Sequence, residues 1–338
     1  MESIFVQITS YRDPELVPTI KNLINRAANP ERLKICIAHQ RHPNDTWDSL
    51  DEFKEDGRFI VIDIPYNESQ GRCGAVYQTQ QHYDSEDYVL SIEAHNRLTQ
   101  DWDIKCVSMY KELQADGVNK PIITTYLPPY SPKHYPLDSD PIPSNLINTP
   151  IYGMRLSIWK DEMAMFHPQQ IKDLTNPLIS RFYSSQFAFT TGEFINEVPH
   201  DPALYYDGEE ISMSVRAFTN GYELFTPNTV LGWFQYNSLQ RKNHWDDHVS
   251  WTHNDTYAKN RVRQLLGIGG AVCTPCNKSS FKIFGLGEVK TLKDYEVFAG
   301  INFIDKTSTS HCIQNLPPPG NPKEELKEWG NKVVTNFY

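Results

Sequence analysis

No stretch of this 338-residue chain approaches the roughly 18 consecutive apolar residues that a bilayer span requires. A transmembrane helix is therefore not expected. Positive charge is also short, with 32 Lys and Arg against 42 Asp and Glu and a formal net charge of −10. Such a balance argues against nucleic acid as a general partner, because neutralising phosphates needs a basic surface. It still permits a nucleotide ligand, whose few charges can be met locally by a metal, an arginine or a helix N-terminus. A disulfide framework is missing too. Cys36, Cys73, Cys106, Cys273, Cys276 and Cys312 are widely scattered, unlike the dense spacing of a stapled secreted domain. Cys273-Thr-Pro-Cys276 is a CxxC, and His311-Cys312 follows, but no second CxxC completes a zinc pattern. Free thiols are the simpler expectation. The opening Met-Glu-Ser-Ile-Phe-Val-Gln-Ile lacks the basic-then-apolar layout of a secretory signal and reads as a first strand, so a cytoplasmic protein is expected.

What the chain does have is an alternation of strand and helix patterns over its first hundred residues. Strands are expected at Ile4 to Thr9, Leu33 to Ala38, Phe59 to Ile64, in the apolar run before Glu93, and at Pro121 to Tyr126. Helices are expected from Pro14 to Ala28, from Cys73 to Tyr83 and after Trp102. This is the pattern of an α/β fold with a mostly parallel sheet, whose ligands sit beyond the carboxyl ends of the strands. Three polar clusters fall at such ends: Thr9 to Asp13, Asn67 to Arg72, and Glu93-Ala94-His95. A Pro-rich segment from Leu127 to Ser144 reads as a long ordered loop or lid, since apolar structure resumes beyond it. Another strand is expected at Gln186 to Thr191. A helix should carry Ile211, Val215 and Phe218 on one face, with Gly221 at its C-terminus. Residues 1–270 are expected to form one domain and 271–338 an extension packed on it, with 278–303 a small satellite unit.

The segment Tyr88 to Asp103 carries the most chemistry. Its apolar run ends at Glu93-Ala94-His95, and at strand spacing residues i and i+2 share a face. Carboxylate plus imidazole suits Mn²⁺ or a related divalent ion, and such an ion can neutralise a diphosphate. The same three residues also suit a strand that simply ends in two solvated side chains. At the Asp207-Gly208-Glu209-Glu210 turn two readings again stand: acids presented to a substrate, or first-turn charge satisfying a helix dipole. His39 and His42 follow a strand and read either as crevice residues or as ordinary satisfied histidines. Gly267 to Gly270 looks like a phosphate loop only superficially, because it ends an expected helix over Tyr257 to Leu266.

Seven blocks, in order along the chain, resemble the cytoplasmic-type polypeptide α-N-acetylglucosaminyltransferases. They are I-F-V-Q-I-T-S-Y-R-D-P-E-L from Ile4, D-Y-V-L-S-I-E-A-H-N-R-L from Asp87, W-D at Trp102, T-T-Y-L-P-P-Y from Thr124, F-I-N-E-V-P-H-D-P-A-L-Y-Y-D-G-E-E-I-S from Phe194, G-Y-E-L-F-T-P-N from Gly221 and L-K-D-Y-E-V-F-A-G-I-N-F from Leu292. The resemblance implies a GT-A fold and retaining transfer of a sugar, N-acetylglucosamine by family precedent, from a UDP donor to a hydroxyl on a protein or glycan. Hydroxyproline on a cytoplasmic protein is the best-known acceptor of the family. By position, Glu93 and His95 fall on the family's acid-X-His metal motif, with Mn²⁺ the expected ion and Glu93 also beside the donor. Thr9, Ser10, Tyr11 and Arg12 fall on the first-strand loop near the nucleotide, and Arg72 is a further donor-side residue. Glu209 and Glu210 fall on the turn that faces donor sugar and acceptor, and are the expected catalytic carboxylates. Trp233, Trp245 and Trp251 surround the segment where the family closes its site, and core packing accounts for two of the three.

The chain departs from the family pattern in four places. The family's metal-binding Asp is Glu93, whose carboxylate reaches roughly 1.5 Å further. The Arg expected in the helix after the third strand is Val76, with Arg72 one turn earlier; the Gly-Gly before the two acids is Asp207-Gly208. The family's histidine after Ser-Pro-Asn, a third metal ligand, has no counterpart before His244, so Gln235 or His244 would have to substitute. These departures motivate an alternative: a non-catalytic glycan- or protein-binding relative with a degenerate metal site. A metallophosphoesterase is a third reading, but the Asp/His clusters of a two-metal site are missing.

Overall fold

The computed structural model describes residues 2–131, 149–172, 174–238, 241–272, 281–309 and 312. Most of the Pro-rich segment, the Cys273–Cys276 pair with His311, and the tail after Pro317 lie outside the described residues. The first strand, β1 (Ile4–Tyr11), is followed by α1 (Leu16–Arg26), β2 (Leu33–Arg41), β3 (Phe59–Pro65), α2 (Arg72–Gln80), β4 (Tyr88–Glu93), β5 (Asn96–Leu98), α3 (Trp102–Ala115) and β6 (Pro121–Thr124). Helix α1 starts two residues later than its apolar pattern suggests. The Asp13 carboxylate accepts the Glu15 N–H at 2.9 Å and the Asp13 carbonyl accepts that of Leu16, so residues 13–15 form a turn instead of a first helical turn.

Beyond β6 come a hairpin of β7 (Ile151–Lys160) and β8 (Met163–Ile171), then β9 (Leu178–Ser180), β10 (Phe187–Thr191), α4 (Phe194–Glu197), α5 (Glu209–Thr219), β11 (Glu223–Thr226), β12 (Gly232–Phe234), α6 (His244–Asp247) and α7 (Trp251–Leu266). The central sheet has the order β3-β2-β1-β4-β10-β6-β11-β9. All its strands run the same way except β10 and β9. This is the mostly parallel α/β sheet expected. The inner strands are buried on both faces, which explains their continuous apolar runs. Ile4, Val6, Ile8, Leu90 and Ile92 join the core under α1 and α3, whereas Phe5 and Val89 join the opposite one.

Helix α5 is sandwiched between two apolar clusters. Ile211, Val215 and Phe218 pack with the β7–β8 hairpin, Val262 and the C-terminal helix Leu292–Ala299, while Met213 and Ala217 pack with Tyr222 and Leu224. The described part of the 278–303 segment therefore shares a core with the sheet domain: Tyr295 stacks edge-on to Phe218 at 5.4 Å and its hydroxyl donates to the Arg181 carbonyl at 2.9 Å. The expected turn glycines take left-handed backbone, Gly221 at φ 86° after α5 and Gly267 at φ 68° after α7.

One buried ion pair ties the front of the molecule together. Arg97 on β5 bonds Glu15, and the Tyr130 hydroxyl donates to the same Glu15 oxygen at 2.9 Å; both charged side chains are almost wholly inaccessible. Replacing one partner leaves the other charge buried and uncompensated, which costs about 3–5 kcal/mol. Glu15→Gln is therefore expected to lower unfolding stability by that amount, read as a shift in the denaturant midpoint. A loss under about 1 kcal/mol would mean the site relaxes to admit water.

Candidate active site

The carboxyl ends of β1, β2 and β4 open into a cavity of 480 Å³, within the range of small-molecule sites. Because β10 runs backwards, its entry residues Ser185 and Gln186 arrive at the same edge. Thr9, Tyr11, Arg72, Glu93, His95, Glu209 and Glu210 all line the cavity. Ser10 and Arg12 do not: Ser10 is buried behind the wall, and its carbonyl accepts from Gln40. His39 pairs with Asp48 at 3.0 Å, away from the cavity.

Glu93 and His95 meet, but not by strand spacing: β4 ends at Glu93, and His95 lies in the turn before β5. His95 Nε2 faces Glu93 Oε2 at 3.3 Å without a hydrogen bond, and Nδ1 lies 2.8 Å from Asp13 Oδ2. A carboxylate on one imidazole nitrogen fixes the ring so that the other can ligate a cation. Burial and Arg241 oppose charge on His95, but Asp13 and Glu93 outweigh them and raise its pKa. Arg72 completes the group. Its Nε is 3.5 Å from Glu93 Oε1, Nη1 bonds Glu209, and Nη2 donates to the Ser185 carbonyl at 2.7 Å.

The adjacent acids differ sharply. Glu209 turns inward to Arg72 and to His200 Nε2, 3.2 Å away. Burial works to raise its pKa, yet Arg72 and then His200 prevail and bring it to about 2. Glu210 accepts from the Tyr126 hydroxyl at 2.6 Å and the Ser185 N–H at 3.0 Å. Burial nevertheless raises it to about 7. Both acids line the cavity, Glu209 in a fixed ion pair and Glu210 held by neutral donors. Gly208 adopts φ 96°, and a Cβ there would meet Val262 at 2.9 Å, so the turn needs glycine.

A clasp closes one side of the cavity. Asp247 of α6 accepts from the Tyr11 hydroxyl at 2.9 Å and from Arg12 at 2.8 Å, and Arg12 also bonds Asp45. His244 bonds the Tyr205 hydroxyl at 2.6 Å and Ser69 Oγ at 2.8 Å, and stacks on His248 at 3.8 Å. Burial, then His248, lowers the His244 pKa to about 4. Trp245 lines the cavity, whereas Trp233 is buried beside Tyr130 and Trp251 packs against the core.

With this geometry in place, comparison with known proteins decides the family. The family model described as Glycosyltransferase (GlcNAc) matches residues 3–58 and 52–305. The chain belongs to that family. No curated protein sequence matches it. Among solved structures, GalNAc-T7 with UDP, GalNAc and Mn²⁺ superposes with a TM-score of 0.56 at 14% identity, over 88% of this chain and 56% of that one. The chain thus spans little more than half the length of that protein, and the likeness establishes the GT-A fold. S. aureus TarS in complex with UDP-GlcNAc (TM-score 0.44, 6% identity, 77% and 70% covered) and mannosyltransferase PcManGT from Pyrobaculum calidifontis with GDP-Man and Mn²⁺ (0.44, 12%, 70% and 58%) are more distant.

As a member of the GlcNAc glycosyltransferase family, the chain shows where its departures lead. Among the described residues no group of three or more His, Cys, Asp and Glu could hold a metal. His244 is engaged by Tyr205 and Ser69, and Gln235 is buried with its N–H on the His95 carbonyl. Glu93 and His95 still fit a divalent ion of the type that takes one or two protein ligands and completes its shell with phosphate oxygens and water. Val76 is buried in the core side of α2, and Arg72 supplies the guanidinium. Tyr126, Ser185, His200 and Arg241 are residues of the site and its surroundings that motif reading did not single out, and Asp13 was seen only as part of the polar Thr9–Asp13 cluster. Asp13, Tyr126 and His200 lay inside the resembling blocks, so their polar character there was the available signal.

Because His244 binds its proton more weakly folded than unfolded, the unfolded state takes up more protons between about pH 6.5 and 4, and stability falls as pH drops through that window. Thermal melts from about pH 7 to about pH 4.5 are expected to show this fall, with a shallower slope in His244→Asn. An identical slope in the variant would remove His244 as its source. No helix among the described residues is long and apolar enough to cross a membrane.

Proposed function

We propose that the chain is a retaining glycosyltransferase that moves a sugar, N-acetylglucosamine by its family, from a UDP donor to a hydroxyl on a protein or glycan. A divalent cation, Mn²⁺ in the first instance, would be held by Glu93 and His95. The observation that carries this reading is the His95 imidazole, fixed by Asp13 with its free Nε2 aimed at the Glu93 carboxylate where β4 ends in the cavity. GalNAc-T7, which shares the fold, was solved with UDP, GalNAc and Mn²⁺, which supports the same class of donor and ion here. Bound, the cation would neutralise charge building on the departing diphosphate.

The chain's own groups have distinct tasks. Arg72 adds a fixed positive charge beside Glu93. Thr9 and Tyr11 line the cavity at the end of β1 and would flank the nucleotide. Retention follows from attack on the same face that the diphosphate leaves. The acceptor oxygen bonds the anomeric carbon, the bond to the phosphate oxygen breaks, and the acceptor proton passes to that departing oxygen. No protein nucleophile is required. Glu209, locked by Arg72 and His200, holds the turn in place. Glu210, held by neutral donors and not by a guanidinium, is the carboxylate that would accept a further hydrogen bond from a reacting hydroxyl, best when ionised.

Turnover of a small UDP-sugar panel with Mn²⁺, Mg²⁺ or EDTA tests the reading. Metal-dependent UDP release from one donor is expected, reduced about 100-fold or more in His95→Ala. Equal turnover by His95→Ala would remove the metal role from this pair. Since Glu210 titrates near pH 7, kcat/KM for transfer is expected to rise through about pH 7. Glu210→Gln should lose about 100-fold and abolish that inflection. A variant that kept both rate and inflection would exclude Glu210 from the reaction.

A further inference from the structure

The Glu209 oxygen that bonds Arg72 is also faced by His200 Nε2, 3.2 Å away. The imidazole lies off the line of a hydrogen bond there. Its effect on Glu209 therefore depends on which end of a dipole it presents: an N–H attracts a carboxylate, and a ring lone pair repels it. The partners of a buried histidine decide which nitrogen holds the proton. Gln80, the last residue of α2, is that partner. Its Oε1 accepts the His200 main-chain N–H at 2.9 Å. This fixes the carboxamide, because the opposite orientation would set two donors against each other. Nε2 of Gln80 then faces the ring, 3.1 Å from His200 Nδ1. An amide nitrogen only donates, so Nδ1 accepts and carries no proton.

The single proton of a neutral ring then sits on Nε2, toward Glu209. The same contact excludes an imidazolium, both of whose nitrogens donate. Burial acts in the same sense, lowering the His200 pKa. Gln80, His200 and Glu209 are all buried, and Tyr183 stands edge-on to the imidazole at 6.1 Å. We propose that Gln80 is a positioning residue of this site, holding His200 in its neutral Nε2–H tautomer so that a proton and not a lone pair meets Glu209. Helix α2 thereby acts on the carboxylate from both its ends, directly through Arg72 and by way of His200 through Gln80. Neither Gln80 nor His200 lines the cavity, so their influence on transfer runs through Glu209. Glu209 and Glu210 share the first turn of α5, so a Glu209 that left its place would carry the neighbouring carboxylate with it.

The role of Gln80 in transfer rests on the glycosyltransferase reading, whereas the tautomer does not, and the experiment reads the two separately. Long-range ¹H–¹⁵N spectra of the full chain, labelled at histidine, report which ring nitrogen carries the proton. The His200 signals are assigned by their loss in His200→Gln. Nε2–H is expected in the unaltered protein, and Nδ1–H or an imidazolium in Gln80→Glu, whose carboxylate accepts but cannot donate. A proton on Nδ1 of the unaltered protein would overturn the proposal without recourse to any variant. With Mn²⁺ and the UDP-sugar that is turned over, kcat/KM is expected to fall about tenfold or more in Gln80→Glu. It should hold in Gln81→Glu, which adds the same charge at an exposed position. His200→Gln presents an amide N–H with no tautomer to set, so adding Gln80→Glu to it should cost little more. An undiminished loss in that background, or a switched tautomer with no loss of rate, would show that Gln80 does not act on transfer through His200. If the unaltered chain neither turns over a donor nor binds UDP, the glycosyltransferase reading fails, and the role of Gln80 in transfer falls with it whatever the spectra show.

Discussion

The Arg72 guanidinium is the contact on which the rest of the site depends. It reaches Glu93 at the end of β4, Glu209 at the start of α5 and the Ser185 carbonyl at the approach to β10. Three segments far apart in sequence are thus fixed around one largely buried charge. Without it, two carboxylates and a carbonyl would face each other in a desolvated wall, a cost of several kcal/mol per uncompensated group. The residue before it explains how it gets there. Gly71 adopts φ 90°, and a Cβ at that position would meet Tyr205 at 3.0 Å, so only glycine lets α2 begin where Arg72 enters the cavity.

The sheet supplies the remaining constraint. Parallel strands β1, β2 and β4 bring their carboxyl ends to one edge, and the reversed β10 brings Ser185 and Gln186 there from the other direction. Ser185 then serves both acids indirectly, its carbonyl holding Arg72 and its N–H and hydroxyl holding Glu210. A single residue ahead of β10 thereby joins the Arg72 group to Glu210. The contrast between Glu209 near 2 and Glu210 near 7 follows from that arrangement. Neighbouring acids take different roles because only one of them has a guanidinium.

Much of this was legible in the sequence, for physical reasons that differ by element. The apolar runs of β1, β2 and β4 announce themselves because buried parallel strands have no polar face to interrupt them. Glu93 and His95 were visible as an acid and a histidine at the end of an apolar run, although a turn after β4, and not strand alternation, brings them together. The β7–β8 hairpin was not foreseen: its burial is irregular, with a register shift between Leu156 and Ile158, so it lacks clean alternation. The reversal of β10 was equally hidden, since strand direction is set by connections and not by local composition. Nor does sequence order reveal that Glu209 turns inward while Glu210 turns outward. That depends on His200 and Tyr126, which come from other segments.

The central claim is that Glu93 and His95 form a cation-assisted diphosphate site. Calorimetric titration of UDP into the protein, once with Mn²⁺ and once with EDTA, tests it most directly. The account predicts saturable UDP binding with Mn²⁺ that is lost or greatly weakened in EDTA. Equal UDP affinity in both conditions would show that Arg72 and its neighbours bind the diphosphate without a cation. No UDP binding in either, alongside measurable binding of a glycan or protein, would contradict the account and mark the chain as a non-catalytic member of its family.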